Sequence, residues 1–159
     1  MQTIKLLGAV AAVCAMALFS GCASVPAAKE SADLAAKTFK TQPGKANIYV
    51  YRDEIVGAAI TMDVKLDGKF AGKTASKTYF AFEVAPGEHE VISETENTSK
   101  LTLKTEPNRS YYIWQEVKMG ILSARSKLQV VDAQTGQKGV AACKLIESPL
   151  PQAGTVANN

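Results

Sequence analysis

From Lys45 onward the chain alternates apolar and polar positions with a period of two, the mark of strands with one face buried. Ile48 and Val50 alternate with Tyr49 and Tyr51, and Met62, Val64 and Leu66 alternate with Thr61, Asp63 and Lys65. Asp67-Gly68 then supplies a hairpin turn of the primed type. Phe80, Phe82 and Val84 form the next alternation, which ends at the turn Pro86-Gly87, and His89 to Glu94 follows as a strand. Leu101 and Leu103 alternate with Lys100, Thr102 and Lys104 up to a turn at Pro107-Asn108. Ser110 to Val117 is the most strand-like run of the chain, and Leu128 to Val131 reads as a further strand. Some seven short strands separated by turns predict an all-β fold, a small antiparallel β-sandwich or partly closed barrel. Asp132 stands where it would cap one short C-terminal helix running towards Lys144, although Gly136 and Gly139 weigh against that helix.

The flanks obey different rules. Lys5 precedes an apolar run from Leu6 to Phe19, fourteen residues long. A spanning helix needs about 20. The run therefore matches the core of a cleaved signal peptide. Leu18-Phe19-Ser20-Gly21-Cys22 resembles the bacterial lipobox, with Phe19 where that motif usually has Leu. The resemblance implies cleavage after Gly21 and lipid attachment at Cys22. Ala23, rather than an aspartate, follows the cysteine, which by the same resemblance implies an outer-membrane lipid anchor on the periplasmic face. Residues 23–44 are rich in Ala, Lys, Ser and Pro and read as a flexible tether, with a weak helical stretch around Ser31 to Lys40. Residues 149–159 are small and polar with two prolines, the composition of a disordered tail. The expected organisation is thus a signal peptide over 1–21, a lipidated N-terminus and tether over 22–44, a sandwich over 45–148 and a tail over 149–159.

Charge and cysteine usage narrow the classes of function. The net charge of +3 falls to about +2 once Lys5 is removed, and lysines interleave with acids, so nucleic acid finds no basic footprint. Of three cysteines, Cys14 leaves with the leader, Cys22 takes the lipid, and Cys143 remains in an apolar setting as a buried small hydrophobe. A single thiol closes no internal disulfide, and with one histidine it makes no closed zinc site; no cofactor is expected.

The remaining motifs carry little chemistry. Gly68-Lys69-Phe70-Ala71-Gly72-Lys73-Thr74 falls one residue short of a phosphate-binding loop and sits in a hairpin, so it reads as turn chemistry. His89 has no orienting acid and nucleophile beside it in sequence and reads as a structural residue closing the Pro86-Gly87 turn. Asp53-Glu54 and Glu94/Glu96 read as solvated carboxylates. In Ser110 to Val117, Tyr112, Trp114 and Glu116 share one strand face and Tyr111, Ile113 and Val117 the other. If the second face is core, Tyr112 and Trp114 form an exposed aromatic patch beside Tyr49 or Tyr51, a candidate partner surface. Alternatively both faces are covered, with the C-terminal segment over Trp114.

Tyr49-Val50-Tyr51-Arg52, Val64-Lys65-Leu66-Asp67-Gly68, Thr78-Tyr79-Phe80, Ala85-Pro86-Gly87-Glu88-His89, Tyr111 to Val117 and Leu128 to Asp132 occur in this order. The series, spanning about residues 45–146, resembles the bacterial family catalogued as domain of unknown function 2846. The resemblance implies small exported or lipid-anchored proteins with a transthyretin-like or carboxypeptidase-regulatory-like sandwich, and it carries no catalytic residues. The expected function is a lipid-anchored envelope protein whose sandwich is a non-catalytic binding or structural module. A strand edge or the Tyr112/Trp114 face would meet an envelope protein or cell-wall partner. The alternatives are an envelope hydrolase or carbohydrate-processing enzyme, which would need Asp53, Glu54 and Glu116 brought together by folding, and a ligand-free scaffold at the membrane surface.

Overall fold

The computed structural model describes residues 23–154. The expected leader, the expected cleavage site after Gly21, the expected lipid attachment site Cys22 and residues 155–159 lie outside the described residues. In chain order the elements are α1 (Glu30–Ala36), β1 (Ala46–Arg52), β2 (Met62–Leu66), β3 (Lys69–Thr74), β4 (Thr78–Val84), β5 (Gly87–Glu94), β6 (Thr98–Thr105), β7 (Ser110–Met119), β8 (Ala124–Val131), α2 (Ala133–Ala141) and β9 (Lys144–Leu145).

Two sheets face each other: a five-stranded one in the order β8-β7-β1-β4-β9 and a four-stranded one in the order β3-β2-β5-β6. The expected sandwich is therefore present, but only the smaller sheet is antiparallel throughout. In the larger sheet β1 runs antiparallel to β4 and parallel to β7, and β9 runs parallel to β4. Asp67 and Gly68 both adopt positive φ, as a primed hairpin turn between β2 and β3 requires.

The central strand β1 is buried at all seven positions, which its sequence explains: both parities of Ala-Asn-Ile-Tyr-Val-Tyr-Arg present large side chains to a covered face. Towards the smaller sheet, Ile48, Val50, Phe80, Phe82 and Ile113 meet Val64, Leu66 and Val91. A buried polar bridge crosses this interior. Gln115 Nε2 donates to Ser93 Oγ (2.6 Å), and Thr74 Oγ1 donates to Gln115 Oε1 (2.6 Å), tying β7 to β5 and β3. Towards the outside, Tyr49, Tyr51, Tyr79 and Tyr112 build a second core with Ala36, Val140, Cys143 and Leu145.

Helix α2 forms in spite of its glycines because those glycines are its contact surface. A Cβ on Gly136 would sit 2.2 Å from Tyr112 Cβ, and one on Gly139 would sit 2.1 Å from Tyr51 Cε2. Only a helix with bare backbone on that side can lie so close to the sheet. Asp132 caps it as expected, accepting from the Thr135 amide (2.9 Å) and the Thr135 hydroxyl (2.7 Å).

Several residues of the segments expected to be tether and tail make hydrogen bonds with the body. Ala23 N donates to Ala58 O (3.0 Å), Ala28 N to Leu145 O (3.0 Å) and Glu147 N to Pro26 O (3.0 Å), so the segment is fastened to the body from residue 23. The helical stretch is real and forms α1, whose Asp33 accepts from Tyr79 Oη (2.8 Å), Leu145 N (2.9 Å) and Lys37 Nζ (2.8 Å). Its alanines, which suggested a linker, allow this close approach. At the other end Glu83 N donates to Pro151 O (3.1 Å) and Ala153 N to Ala81 O (2.7 Å). Strand β9 covers only the first part of β4, at Thr78 and Tyr79, and the tail satisfies the edge beyond it.

Candidate functional site

The predicted aromatic face is covered. Tyr112 is 2% exposed, stacks on Tyr49 with ring centroids 5.2 Å apart, and lies under Gly136 of α2. Strands β1 and β7 do pair, with Tyr49 beside Tyr112 and Tyr51 beside Trp114. The face they share, however, is the second core rather than a surface. Trp114 is half-buried at its margin, and its indole Nε1 makes no hydrogen bond. The sequence signal for burial was already there: tyrosines on both strands form one apolar set, and the segment after Asp132 is the cover.

His89 closes its turn as expected. Its Nε2 lies 2.8 Å from the Ala85 carbonyl and its Nδ1 lies 2.7 Å from Asp67 Oδ2, which links the two hairpin turns. Burial opposes its charged form, but the Asp67 and Ala85 hydrogen bonds outweigh that and raise the imidazole above its ordinary value. Cys143 is 2% exposed with its thiol pushed up to about 12 by burial, the state of an inert packing residue.

Two of the acids named for catalysis are held by neighbouring groups. Glu54 Oε1 accepts from Val117 N (3.3 Å), and burial holds its carboxyl above the ordinary range against the lowering from amide hydrogen bonds. Glu116 is tied to Lys118 and to Gln129 Nε2, the latter at 2.6 Å. No group of three or more His, Cys, Asp or Glu side chains is placed to hold a metal among the described residues.

A different feature is built on the open side of the sandwich. On one side the sheets are stitched: Asn97 exchanges hydrogen bonds with the Ser126 backbone (2.9 and 2.8 Å), and Leu128 N donates to Ser99 Oγ (3.0 Å). On the other side β3 has a strand neighbour only in β2, and a groove of about 1330 Å³ runs between β3, α1 and residues 146–151. Val25, Ala28, Ala32, Phe70, Ile146 and Leu150 make its apolar wall, and Phe70 is 47% exposed there. Gly72 has φ +134 and no room for a Cβ against Phe80 Cζ (3.0 Å), so β3 bends close over the core beside this groove. Sequence reasoning missed the groove because half of its wall lies in segments that read as tether and tail.

The sequence pattern of a family of proteins of unknown function, DUF2846, matches residues 42–127. This chain belongs to the DUF2846 family. The match covers β1 to the first half of β8 and so includes most of both sheets. An uncharacterized protein of Haemophilus influenzae is 34% identical to this DUF2846 chain over 140 residues, which is 86% of this chain and 83% of the relative. That alignment is longer than the family match, so the likeness extends beyond the strands of the family pattern.

Proposed function

We propose that this DUF2846 protein is a lipid-anchored envelope protein, held through Cys22 at the periplasmic face of the outer membrane, whose sandwich is a non-catalytic binding module. The groove beside β3 carries the reading. It combines an apolar wall with a strand that has a neighbour on one side only, the two features that capture an extended apolar segment of a partner. Main-chain pairing along β3 supplies affinity in such a complex, and Phe70 with the alanines of α1 selects small apolar side chains. The partner class is an envelope protein or cell-wall-associated chain. Because residue 23 is fastened to the body, the module works close to the membrane instead of at the end of a tether.

The test places a photo-reactive residue at position 70 of the protein in intact cells, with the Cys22 acyl group followed by mass. A discrete adduct is expected, lost when Ala32→Trp fills the groove. An adduct indifferent to Ala32→Trp, or none, overturns the groove; an unmodified Cys22 overturns the anchor.

A further inference from the structure

Three loops meet at one end of the sandwich. Residues 53–61 follow β1, residues 95–97 join β5 to β6, and residues 120–123 join β7 to β8. The first carries the exposed apolar side chains Ile55 (74%) and Val56 (60%), and the third carries Ile121 (90%) and Leu122 (93%), with Met119 (86%) beside it at the end of β7. Both loops are held by a charged side chain acting on backbone, Arg52 from within and Glu96 from the exposed β5–β6 loop. Arg52, itself fully buried, donates from Nη1 to Ile60 O (2.9 Å) and from Nη2 to Gly57 O (2.5 Å) and Val56 O (3.3 Å). Glu96 accepts from the amides of Ile121 (3.0 Å), Leu122 (3.0 Å) and Ser123 (2.8 Å). With their polar backbone groups satisfied by these two residues, the loops present their apolar side chains to the outside in fixed positions.

The loops are contiguous. Gly57 packs against Val117 Cγ1, and Glu54 accepts from Val117 N, so the β1–β2 loop lies along the base of the β7–β8 hairpin. Ala23 N donates to Ala58 O in the same loop. Ala23 is the residue that follows Cys22 in the chain. Behind the hairpin tip, Lys118 and Arg125 stand directly opposite each other on β7 and β8, and Lys127 follows, all exposed. Lys118 is paired with Glu116, and Arg125 lies in the field of Glu96. Against an anionic surface, lipid phosphates compete with these acids for the two cations.

We infer that this end of the molecule is a membrane-docking surface. Ile55, Val56, Ile121 and Leu122 enter the headgroup–acyl boundary of a bilayer, and Lys118 and Arg125 meet lipid phosphates. The inference rests on the anchor reading for its position, since a lipid on Cys22 brings this end, and no other, onto the bilayer. Apolar loop tips with basic side chains behind them are the chemistry of an interfacial insertion site, and the acids Asp53, Glu54 and Glu96 lie in the same loops.

The test uses the chain from residue 22 onward with Cys22→Ser, which retains every described element and needs no acylation. It is mixed with vesicles of phosphatidylethanolamine and phosphatidylglycerol in a 3:1 ratio, about the simplest anionic bilayer that separates insertion from phosphate attraction. Co-sedimentation is expected, weakened by salt, and lowered at least about tenfold by Ile121→Asp with Leu122→Asp. Val130→Asp, at another exposed aliphatic position on β8 far from the tip, should leave it unchanged. An environment-sensitive dye on a cysteine at position 122 should report an apolar setting with vesicles. No sedimentation, sedimentation indifferent to the double variant, or a dye that stays in water overturns the docking surface. So does a tip that instead buries itself in a second copy of the chain without lipid. None of these outcomes bears on whether Cys22 is acylated in cells, so the anchor reading stands or falls separately.

Discussion

Gly136→Ala separates helix propensity from packing. In an exposed helix interior the change would favour folding by about 1 kcal/mol. Here the added methyl would lie 2.2 Å from both Cβ and Cγ of Tyr112, where carbon atoms rest at about 3.5–4.0 Å. Tyr112 cannot yield, because its Cβ is fixed to β7 and its ring is stacked on Tyr49. The helix must therefore retreat by roughly 1.5 Å, which also lifts Gly139 from Tyr51 and loosens Val140 in the second core. Overpacking of this kind costs about 1–3 kcal/mol, and a rigid neighbour places it at the top of that range. Subtracting the propensity gain leaves a net loss of about 2 kcal/mol, or roughly 8 °C in Tm for a domain of this size. Urea and thermal unfolding followed by the fluorescence of Trp114, the sole tryptophan, reads this directly. Lys138→Ala, on the exposed side of the same helix, serves as the control and should move the midpoint by a few tenths of a kcal/mol at most. An unchanged or raised midpoint for Gly136→Ala would show that α2 does not lie on Tyr112.

Asp33 holds α1 to the sheet. Burial pushes its carboxyl up, but Lys37, the Leu145 amide and the Tyr79 hydroxyl together bring it below its ordinary 3.8. Its stabilisation is therefore complete above pH 4 and lost as the pH falls through the depressed value. Asp33→Ala should cost about 2–3 kcal/mol at neutral pH, and its stability gap from the native chain should close in acid. The raised imidazole of His89 acts in the opposite sense: its contribution is complete below pH 6.5 and fades as the pH rises above it. The Tm difference between native protein and His89→Gln should narrow on that rise; a widening gap would contradict the Asp67–His89 pairing. Gln115→Leu should cost about 1–3 kcal/mol by leaving the buried Ser93 hydroxyl without Gln115. Adding Thr74→Val and Ser93→Ala should recover most of that loss, as judged by urea midpoints.

Seven of the strands were legible from their alternation, whereas β3, read as turn chemistry, and the two-residue β9 were not. The Asp67-Gly68 turn was legible because few residue pairs adopt two positive φ angles in succession. Helix α2 was only half legible. Asp132 announced its start, but Gly136 and Gly139 read as helix breakers when scored by propensity and as contact residues only when Tyr51 and Tyr112 are known to lie beneath them. The packed flanks were hidden for a related reason, since alanine serves equally in a loose linker and in a close contact. Arg52 and Glu96 were out of reach altogether: their partners are backbone groups, and those of Glu96 lie about twenty-five residues away, so no side-chain pattern records them. The aromatic face was left between an exposed and a covered reading for want of the layer above it. Reading Tyr112 as outward assumed a sheet with one covered face, and α2 covers the other.

The parallel pairing of β1 with β7 has a consequence for how the chain acquires its structure. Asn47 finds Ser110 and Tyr51 finds Trp114 only after the whole of the smaller sheet has intervened. Local hairpins such as β2–β3, β5–β6 and β7–β8 close quickly, whereas the centre of the larger sheet waits on a long loop whose closure entropy precedes any reward. Until residue 114 is available, β1 lacks one neighbour and exposes the edge of its most apolar strand. Folding is therefore a late, collective event that follows completion of most of the chain. During that interval the protein is a substrate for any holdase that grips extended Ile-Tyr-Val-Tyr segments.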